Sequence, residues 1–247
     1  MRIAVISDMH GNDLAFEVVE ADIKNQEVDQ IVCLGDAIQG GPQPAEVAQR
    51  LRRLGCPVVM GNADAWLISG TESGDEGIPP ERLRKMGEVR NWSLSKLTED
   101  DIDFISGFQP TVTVQLGEGL DLLCFHGSPV SFDDIILPAA SEVEFQKFLG
   151  PYTGRILTGG HTHAQQIRRI GDLFFFNPGS VGFAYSHNQP EEKFLADPWA
   201  EYAILTVDNG LVSLEFRRIP FDASKLVRTF QESGRPFAED AIAQYQR

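Results

Sequence analysis

The first sixty residues alternate between short apolar runs and helical patterns, and this alternation constrains the fold more than any other feature of the chain. Apolar runs rich in β-branched residues predict strands at 2–6, 30–34 and 57–60. Between them, Asn12 or Asp13 can cap a first helix, and a second helix is expected to end at Gly55. Strands separated by helices of this length pair in parallel through right-handed crossovers. The start of the chain therefore predicts an α/β fold.

The rest of the chain has a different pattern, with helices in the middle and strands after them. A loop is predicted at 69–80, where Gly and Pro cluster, and helices follow at 81–97 and about 99–105. The strands predicted in the second half are 111–116, 120–125, 155–158, 165–170, 173–176, 202–207 and 211–216. We expect one domain over residues 1–247, with a helical insertion at about 65–105 and a C-terminal helix and tail from about 221.

Composition and charge disfavour several classes of function. Hydrophobic residues make up 42% of the 247 residues, which is enough for a packed core. The formal net charge of −15 argues against binding to polynucleotides or anionic membranes, whose phosphates are bound through Lys and Arg. The chain has three Cys, and we find neither an apolar run long enough to span a membrane nor a signal-peptide pattern. These features predict a cytoplasmic protein with free thiols.

Side chains suited to metal binding follow five of the predicted strands directly. The clusters are Asp8-Met9-His10, Gly35-Asp36, Gly61-Asn62-Ala63-Asp64, His126-Gly127 and Gly159-Gly160-His161-Thr162-His163. In open α/β sheets, the loops at the carboxyl ends of parallel strands converge on one crevice. Any one cluster alone is more simply a helix cap or a turn, but the whole set in this order predicts a metal site.

These motifs resemble those of the calcineurin-like metallophosphoesterases, and in particular their small bacterial and archaeal phosphodiesterase-like branch. The resemblance is carried by Ser7-Asp8-Met9-His10-Gly11-Asn12, His126-Gly127-Ser128-Pro129, Gly160-His161-Thr162-His163 and Asn177-Pro178-Gly179-Ser180-Val181-Gly182. It covers about residues 1–218 and implies a two-sheet α/β/β/α sandwich, in which mixed sheets are flanked by helices.

The resemblance also implies a dinuclear metal centre that hydrolyses a phosphomonoester or phosphodiester through a metal-bridging hydroxide. One ion would be held by Asp8, His10, Asp36 and His163, and the other by Asp36, Asn62, His126 and His161. Asp36 would bridge the two ions, and the candidate catalytic residues are Asp36, Asn62 and Asp64. Imidazole and carboxylate ligands favour two divalent ions, for which we expect manganese, with iron, nickel or zinc as alternatives.

One position departs from the pattern of this family. Where relatives carry a His after the Asn of the third motif, this chain has Ala63, which cannot transfer a proton. We therefore expect a preference for good leaving groups, such as those of aryl phosphates. Asp64 can substitute as an acid or, alternatively, cap a nearby loop. The alternative function is a weak pseudoenzyme or metal-binding regulatory protein, while the motif order fits amidohydrolase-type and lactamase-type enzymes poorly.

The sequence leaves the substrate open. We expect a phosphorylated substrate, with a nucleotide and a phosphoprotein among the candidates, and a dimer is compatible with the sequence. Trp66 and Trp92 can stack a nucleobase or simply pack in the core. His187 lies in a polar segment and is either exposed or in contact with substrate.

Overall fold

The computed structural model describes residues 1–71, 78–117, 119–152, 155–190 and 194–246, and over these ranges the chain forms nine strands in two sheets. The strands are β1 (Arg2–Ile6), β2 (Gln30–Cys33), β3 (Val112–Gly117), β4 (Leu120–Cys124), β5 (Ile156–Thr158), β6 (Gln166–Ile170), β7 (Leu173–Asn177), β8 (Trp199–Asp208) and β9 (Leu211–Pro220). The first sheet has the order β2-β1-β8-β9, and the second has the order β3-β4-β5-β7-β6. Parallel pairs are β1 with β2, β4 with β5 and β5 with β7, and the other neighbours are antiparallel. Both sheets are therefore mixed, as predicted.

Eight α-helices of the described residues surround the sheets. They are α1 (Asp13–Ile23), α2 (Pro44–Leu54), α3 (Asn62–Ser69), α4 (Pro80–Leu94), α5 (Glu99–Ser106), α6 (Glu142–Leu149), α7 (Ala223–Ser233) and α8 (Ala238–Ile242). The side chain of Asn12 caps α1 by accepting a hydrogen bond from the amide of Ala15 at 3.1 Å. Gly55 ends α2 in the left-handed conformation, as its position in the sequence predicted. No helix of the described residues has the length and apolar content needed to cross a membrane.

Three buried apolar layers show how the sheets and helices stack. Along β1, Ile3 and Val5 pack between the two sheets, whereas Ala4 and Ile6 pack against the outer helices. This alternation follows from the two-residue period of a strand. On the second sheet, Leu123 faces outward into a third layer with α6. The order of layers is helix, sheet, sheet, helix, which confirms the predicted α/β/β/α sandwich.

The predicted strand at 57–60 is wrong. Val58 bridges Cys33 in parallel, but the next residue, Val59, bridges Gln109 instead. Because the segment changes partner after one residue, no continuous ladder forms. The sequence interpretation also missed α6 and underestimated the length of β8 and β9. Residues 72–77 of the predicted loop lie outside the described residues.

Candidate metal centre

The predicted ligands meet at the carboxyl ends of strands from both sheets. Asp8 and His10 follow β1, and Asp36 follows β2. From the second sheet, His126 follows β4, while His161 and His163 follow β5. Asn62 is the first residue of α3. The β-sandwich thus places the side chains of distant segments at one edge, as expected for α/β folds.

The charged and imidazole ligands form two adjacent groups. One group contains Asp8, His10 and His163, and the other contains Asp36, His126 and His161; within each, the ligand atoms lie within 4.8 Å of one another. Asn62 joins the second group, since its Oδ1 lies 3.1 Å from Nε2 of His126.

Asp36 contacts both groups. Its Oδ2 lies 3.3 Å from Nε2 of His126 and 3.7 Å from Nε2 of His10. The amide of Ala63 donates a hydrogen bond of 2.8 Å to the other oxygen, Oδ1, and so fixes the carboxylate. This is the position that a bridging ligand needs.

Hydrogen bonds to backbone carbonyls orient three of the histidines. His10 Nδ1 lies 2.9 Å from the carbonyl of Gln39, His126 Nδ1 lies 2.8 Å from that of Leu34, and His163 Nδ1 lies 2.7 Å from that of Phe183. A carbonyl only accepts, so each Nδ1 carries a hydrogen and donates it. The lone pair of each neutral ring is then on Nε2, which points toward the carboxylates, as in histidines that bind metals.

Two features of the site fit a bound cation. Nε2 of His10 and Nε2 of His163 are 3.0 Å apart, and both face Oδ1 of Asp8, so one ion can contact all three atoms. Asp8 is fully buried, and its Oδ1 lies 3.3 Å from Nε2 of His163 without forming a well-aligned hydrogen bond. A buried carboxylate oxygen that lacks a well-aligned hydrogen bond is costly. Oxygen and imidazole nitrogen donors around such an atom suit a divalent transition metal.

The loops that carry the ligands adopt backbone conformations that residues other than Gly rarely adopt. Positive φ angles occur at Asp8 (56°), His10 (46°), Asp36 (50°), His161 (66°) and His163 (56°). Each such conformation costs on the order of 1–3 kcal/mol and persists only where the surrounding structure enforces it. Strain concentrated on the ligands is typical of a functional site.

Residues 1–210 match the calcineurin-like phosphoesterase superfamily domain. The chain belongs to this superfamily. It is 27% identical over 241 residues to the uncharacterized protein MJ0912 of Methanocaldococcus jannaschii, covering 90% of this chain and 89% of that protein. The metallophosphoesterase from Sphaerobacter thermophilus is 25% identical, with a TM-score of 0.71 and 98% of each chain covered. The hypothetical protein PH1004 from Pyrococcus horikoshii OT3 has a TM-score of 0.80 at 20% identity over 99% of this chain and 98% of that one, which shows the shared fold.

The histidines of this superfamily member differ in how readily they take up a proton. Burial lowers the pKa of His10 and of His161 below the ordinary value. Burial acts in the same direction on His126, but the charge of Asp36 and a hydrogen bond to it outweigh burial and raise the pKa to about 10. Asp8 raises the pKa of His163 against burial in the same way. Without metal, a proton on His126 therefore offsets part of the negative charge of the two carboxylates.

Asp64 lies apart from the other candidate catalytic residues. It is fully buried, and its Oδ1 accepts hydrogen bonds of 3.1 Å from the amides of Ala37 and Ile38. It does not line the cleft that opens over the ligands. This position agrees with the loop-capping role, in which Asp64 holds the segment that follows Asp36.

A cleft of about 650 Å³ opens over the ligands. Its lining includes His10, Asp36, Asn62, His161 and His163 from the centre, and Ala63 beside them. The helical insertion contributes Trp66 from α3 and Arg82, Lys85, Met86 and Val89 from α4. The insertion therefore packs at the cleft. The volume is within the range of about 300–1,000 Å³ that is common for small-molecule sites.

The structure separates the two candidate stacking residues. Trp66 lines the cleft, with the guanidinium of Arg90 over its ring at 6.0 Å, whereas Trp92 does not line it. His187 is exposed and lies outside the lining; its Nε2 is 2.6 Å from the carbonyl of Thr162. It therefore supports the loop that carries His161 and His163.

Sequence reasoning missed a further part of the cleft, which comes from the end of the chain. Its lining residues there are Phe230, Arg235, Phe237, Asp240, Ala241, Gln244 and Tyr245. None of them belongs to a recognisable motif. The only local signal was the amphipathic pattern of α7, which predicts a packed helix but not its location.

Proposed function

We propose that the protein hydrolyses phosphate esters with two divalent metal ions, for which manganese is our first candidate. The observation that carries the proposal is the position of Asp36 between two groups of inward-facing ligands. The first ion is assigned to Asp8, His10, Asp36 and His163, and the second to Asp36, Asn62, His126 and His161. When bound, two such ions act as Lewis acids toward phosphoryl oxygens and lower the pKa of water.

The orientation of the imidazoles, the neutral ligand Asn62 and the charge of the site all favour this chemistry. The carbonyls of Gln39, Leu34 and Phe183 hold three imidazoles in the tautomer that leaves Nε2 free. Asn62 supplies a neutral oxygen in place of a third carboxylate. Two divalent cations carry more positive charge than Asp8 and Asp36 offset, so the site attracts a phosphate although the whole protein is acidic.

Metal titration tests the ligand assignment. We expect chelator-stripped protein to bind about two equivalents of Mn²⁺ and His126→Ala to lose the second site. At pH 7 binding should release at least one proton, because the pKa of His126, raised to about 10, keeps that imidazole protonated without metal. Affinity should therefore fall as the pH is lowered. Titration calorimetry in two buffers of different ionisation enthalpy measures both quantities. A single equivalent, or no proton release, would contradict the assignment.

Ala63 predicts slow hydrolysis of esters with poor leaving groups. Its position lines the cleft beside Asn62, so a side chain there can approach a bound ester. We expect Ala63→His to raise kcat/KM for an alkyl phosphate by at least about tenfold, and to change that for an aryl phosphate much less, since only the poor leaving group needs a proton. Ala63→Gln is the matched control, because it adds bulk without an acid. Equal effects of both variants on both esters would show that Ala63 does not determine the leaving-group preference.

Because Ala63 cannot transfer a proton, a second candidate function is that of a metal-binding protein without catalytic turnover. The two hypotheses share the fold and the ligands, so metal binding does not distinguish them. Hydrolysis that depends on added metal does. A phosphorylated small molecule is the partner expected for the enzyme, and a phosphoprotein is the alternative substrate.

A further inference from the structure

The C-terminal segment, defined here as residues 221–246, lies beyond the residues matched to the superfamily, yet it lines the cleft. Contacts along its length hold it in place. Lys85 on α4 pairs with Asp240 at 2.8 Å, and the hydroxyl of Tyr245 donates to the carbonyl of Gly182 at 3.3 Å. The segment is therefore a fixed side of the cleft whose residues can contact a substrate.

Arg235 connects this segment to a residue that packs against one of the predicted metal ligands. Its Nε donates to the carbonyl of Gly40 at 2.6 Å. Gly40 in turn packs against His10, since a Cβ placed on Gly40 would lie 3.6 Å from both Cβ and Nδ1 of that histidine. The guanidinium is thus anchored beside the first group of ligands.

The hydrogen bonds of Arg235 leave part of its guanidinium available. Nη1 donates to the carbonyls of Pro236 and Phe237 at 2.9 and 3.2 Å. Nη2 has no hydrogen-bond partner among the described residues. A guanidinium presents its N–H groups in a planar fork that matches a phosphate or carboxylate. The free edge therefore suits an anion in the cleft.

The charge of Arg235 is also poorly compensated. Its hydrogen-bond acceptors among the described residues are neutral carbonyls, its guanidinium lies over the ring of Phe230 at 5.7 Å, and the nearby carboxylate of Asp240 pairs with Lys85. Burial lowers the pKa of Arg235 to about 10, and the charge of Asp240 opposes this only in part. Arg235 is half-buried, and partial desolvation of a cation without an ion-pair partner carries a cost that a bound anion relieves.

We propose that Arg235 binds a second anionic group of the substrate, one other than the phosphoryl group that is hydrolysed. This inference rests on the proposed function. Tyr185 and Phe194 line the same cleft, are partly exposed, and offer apolar rings. Nucleotides with two separate phosphates combine these features, so we assign the cleft to phosphoesters of this class.

The test compares two ligands that differ by one phosphate, thymidine 5′-monophosphate and thymidine 3′,5′-bisphosphate. Dissociation constants are measured by titration calorimetry on Mn²⁺-loaded protein. We expect the wild type to prefer the bisphosphate. Arg235→Gln should weaken its binding by about 10- to 100-fold, the effect of losing a hydrogen bond to a charged group, and change that of the monophosphate by less than about threefold. Arg235→Lys should restore part of the difference, because it keeps the charge.

Arg90→Gln is the matched control. Arg90 also donates to backbone carbonyls, those of Trp66 and Ile68, but does not line the cleft. It should leave the preference for the bisphosphate unchanged. A wild type without that preference, or an equal loss for both ligands in Arg235→Gln with a lowered melting temperature, would overturn the proposal and leave Arg235 a purely structural residue. Hydrolysis is assayed separately, so failure of the proposed function is distinguishable from failure of this inference.

Discussion

Asp36→Asn is expected to lower kcat/KM for an aryl phosphate ester by about 10³-fold or more. The variant keeps the size of the side chain but removes the negative charge that lies 3.3 Å from Nε2 of His126 and 3.7 Å from that of His10. Losing the Lewis-acid contribution of one ion raises the activation free energy by several kcal/mol. An increase of about 4 kcal/mol corresponds to an about 10³-fold slower reaction. Steady-state kinetics and the metal content of the purified variant measure the effect.

The matched control is Asp121→Asn. Asp121 lies on β4, where it accepts hydrogen bonds from Arg155 at 2.7 Å, and it does not line the cleft. Its loss should leave kcat/KM unchanged and reduce stability by no more than about 1 kcal/mol, as for other partly exposed ion pairs. If Asp36→Asn retained the activity and the full metal content of the wild type, the shared position of Asp36 would have no role in catalysis.

Gly182→Ala should both destabilise the protein and disturb the first metal group. A Cβ at this position would lie 1.7 Å from the carbonyl oxygen of Met9, the residue between Asp8 and His10. The amide of Gly182 also donates to the carbonyl of Asp8 at 3.0 Å, so the two segments cannot separate without losing that bond. We expect the free energy of unfolding to fall by about 2–4 kcal/mol, the cost of overpacking a tightly packed site.

Chemical denaturation of metal-free protein measures this loss, and a metal titration shows whether the first group still binds. Gly87→Ala is the control, because Gly87 lies within α4 and a Cβ there would meet no atom within 4 Å. That variant should gain up to about 1 kcal/mol from the better helix propensity of Ala. A Gly182→Ala variant as stable as the wild type, with metal binding intact, would contradict the close approach of these loops.

The meeting of the candidate ligands could be predicted from the sequence because local signals place all of them except Asn62, which begins α3, shortly after a strand. β-Branched runs such as Arg2–Ile6 identify the strands, and the topology of parallel pairing then brings their carboxyl ends together. Gly residues beside the ligand motifs also indicated where two segments of the chain pack closely. Gly61, for example, would place a Cβ 2.1 Å from Oδ1 of Asp36.

Other features depend on tertiary contacts that leave no local pattern. The segment at 57–60 has the composition of a strand, but its partners Cys33 and Gln109 come from different parts of the chain. Asp64 stands next to the third motif, yet the amides of Ala37 and Ile38 determine its role. Arg235 reaches the cleft only because the C-terminal segment folds back onto α4, and no spacing in the sequence indicates that path.

The most direct test of a metal-dependent phosphoesterase is turnover by chelator-stripped protein after Mn²⁺, Ni²⁺, Zn²⁺ or Mg²⁺ is added back. An aryl phosphomonoester and the matching phosphodiester are assayed in parallel. We predict no activity without metal, and hydrolysis of at least one ester with Mn²⁺ that disappears in Asp36→Asn. Full metal binding by folded protein without hydrolysis of either ester or of a panel of nucleotides would contradict the account and favour a metal-binding protein without catalysis.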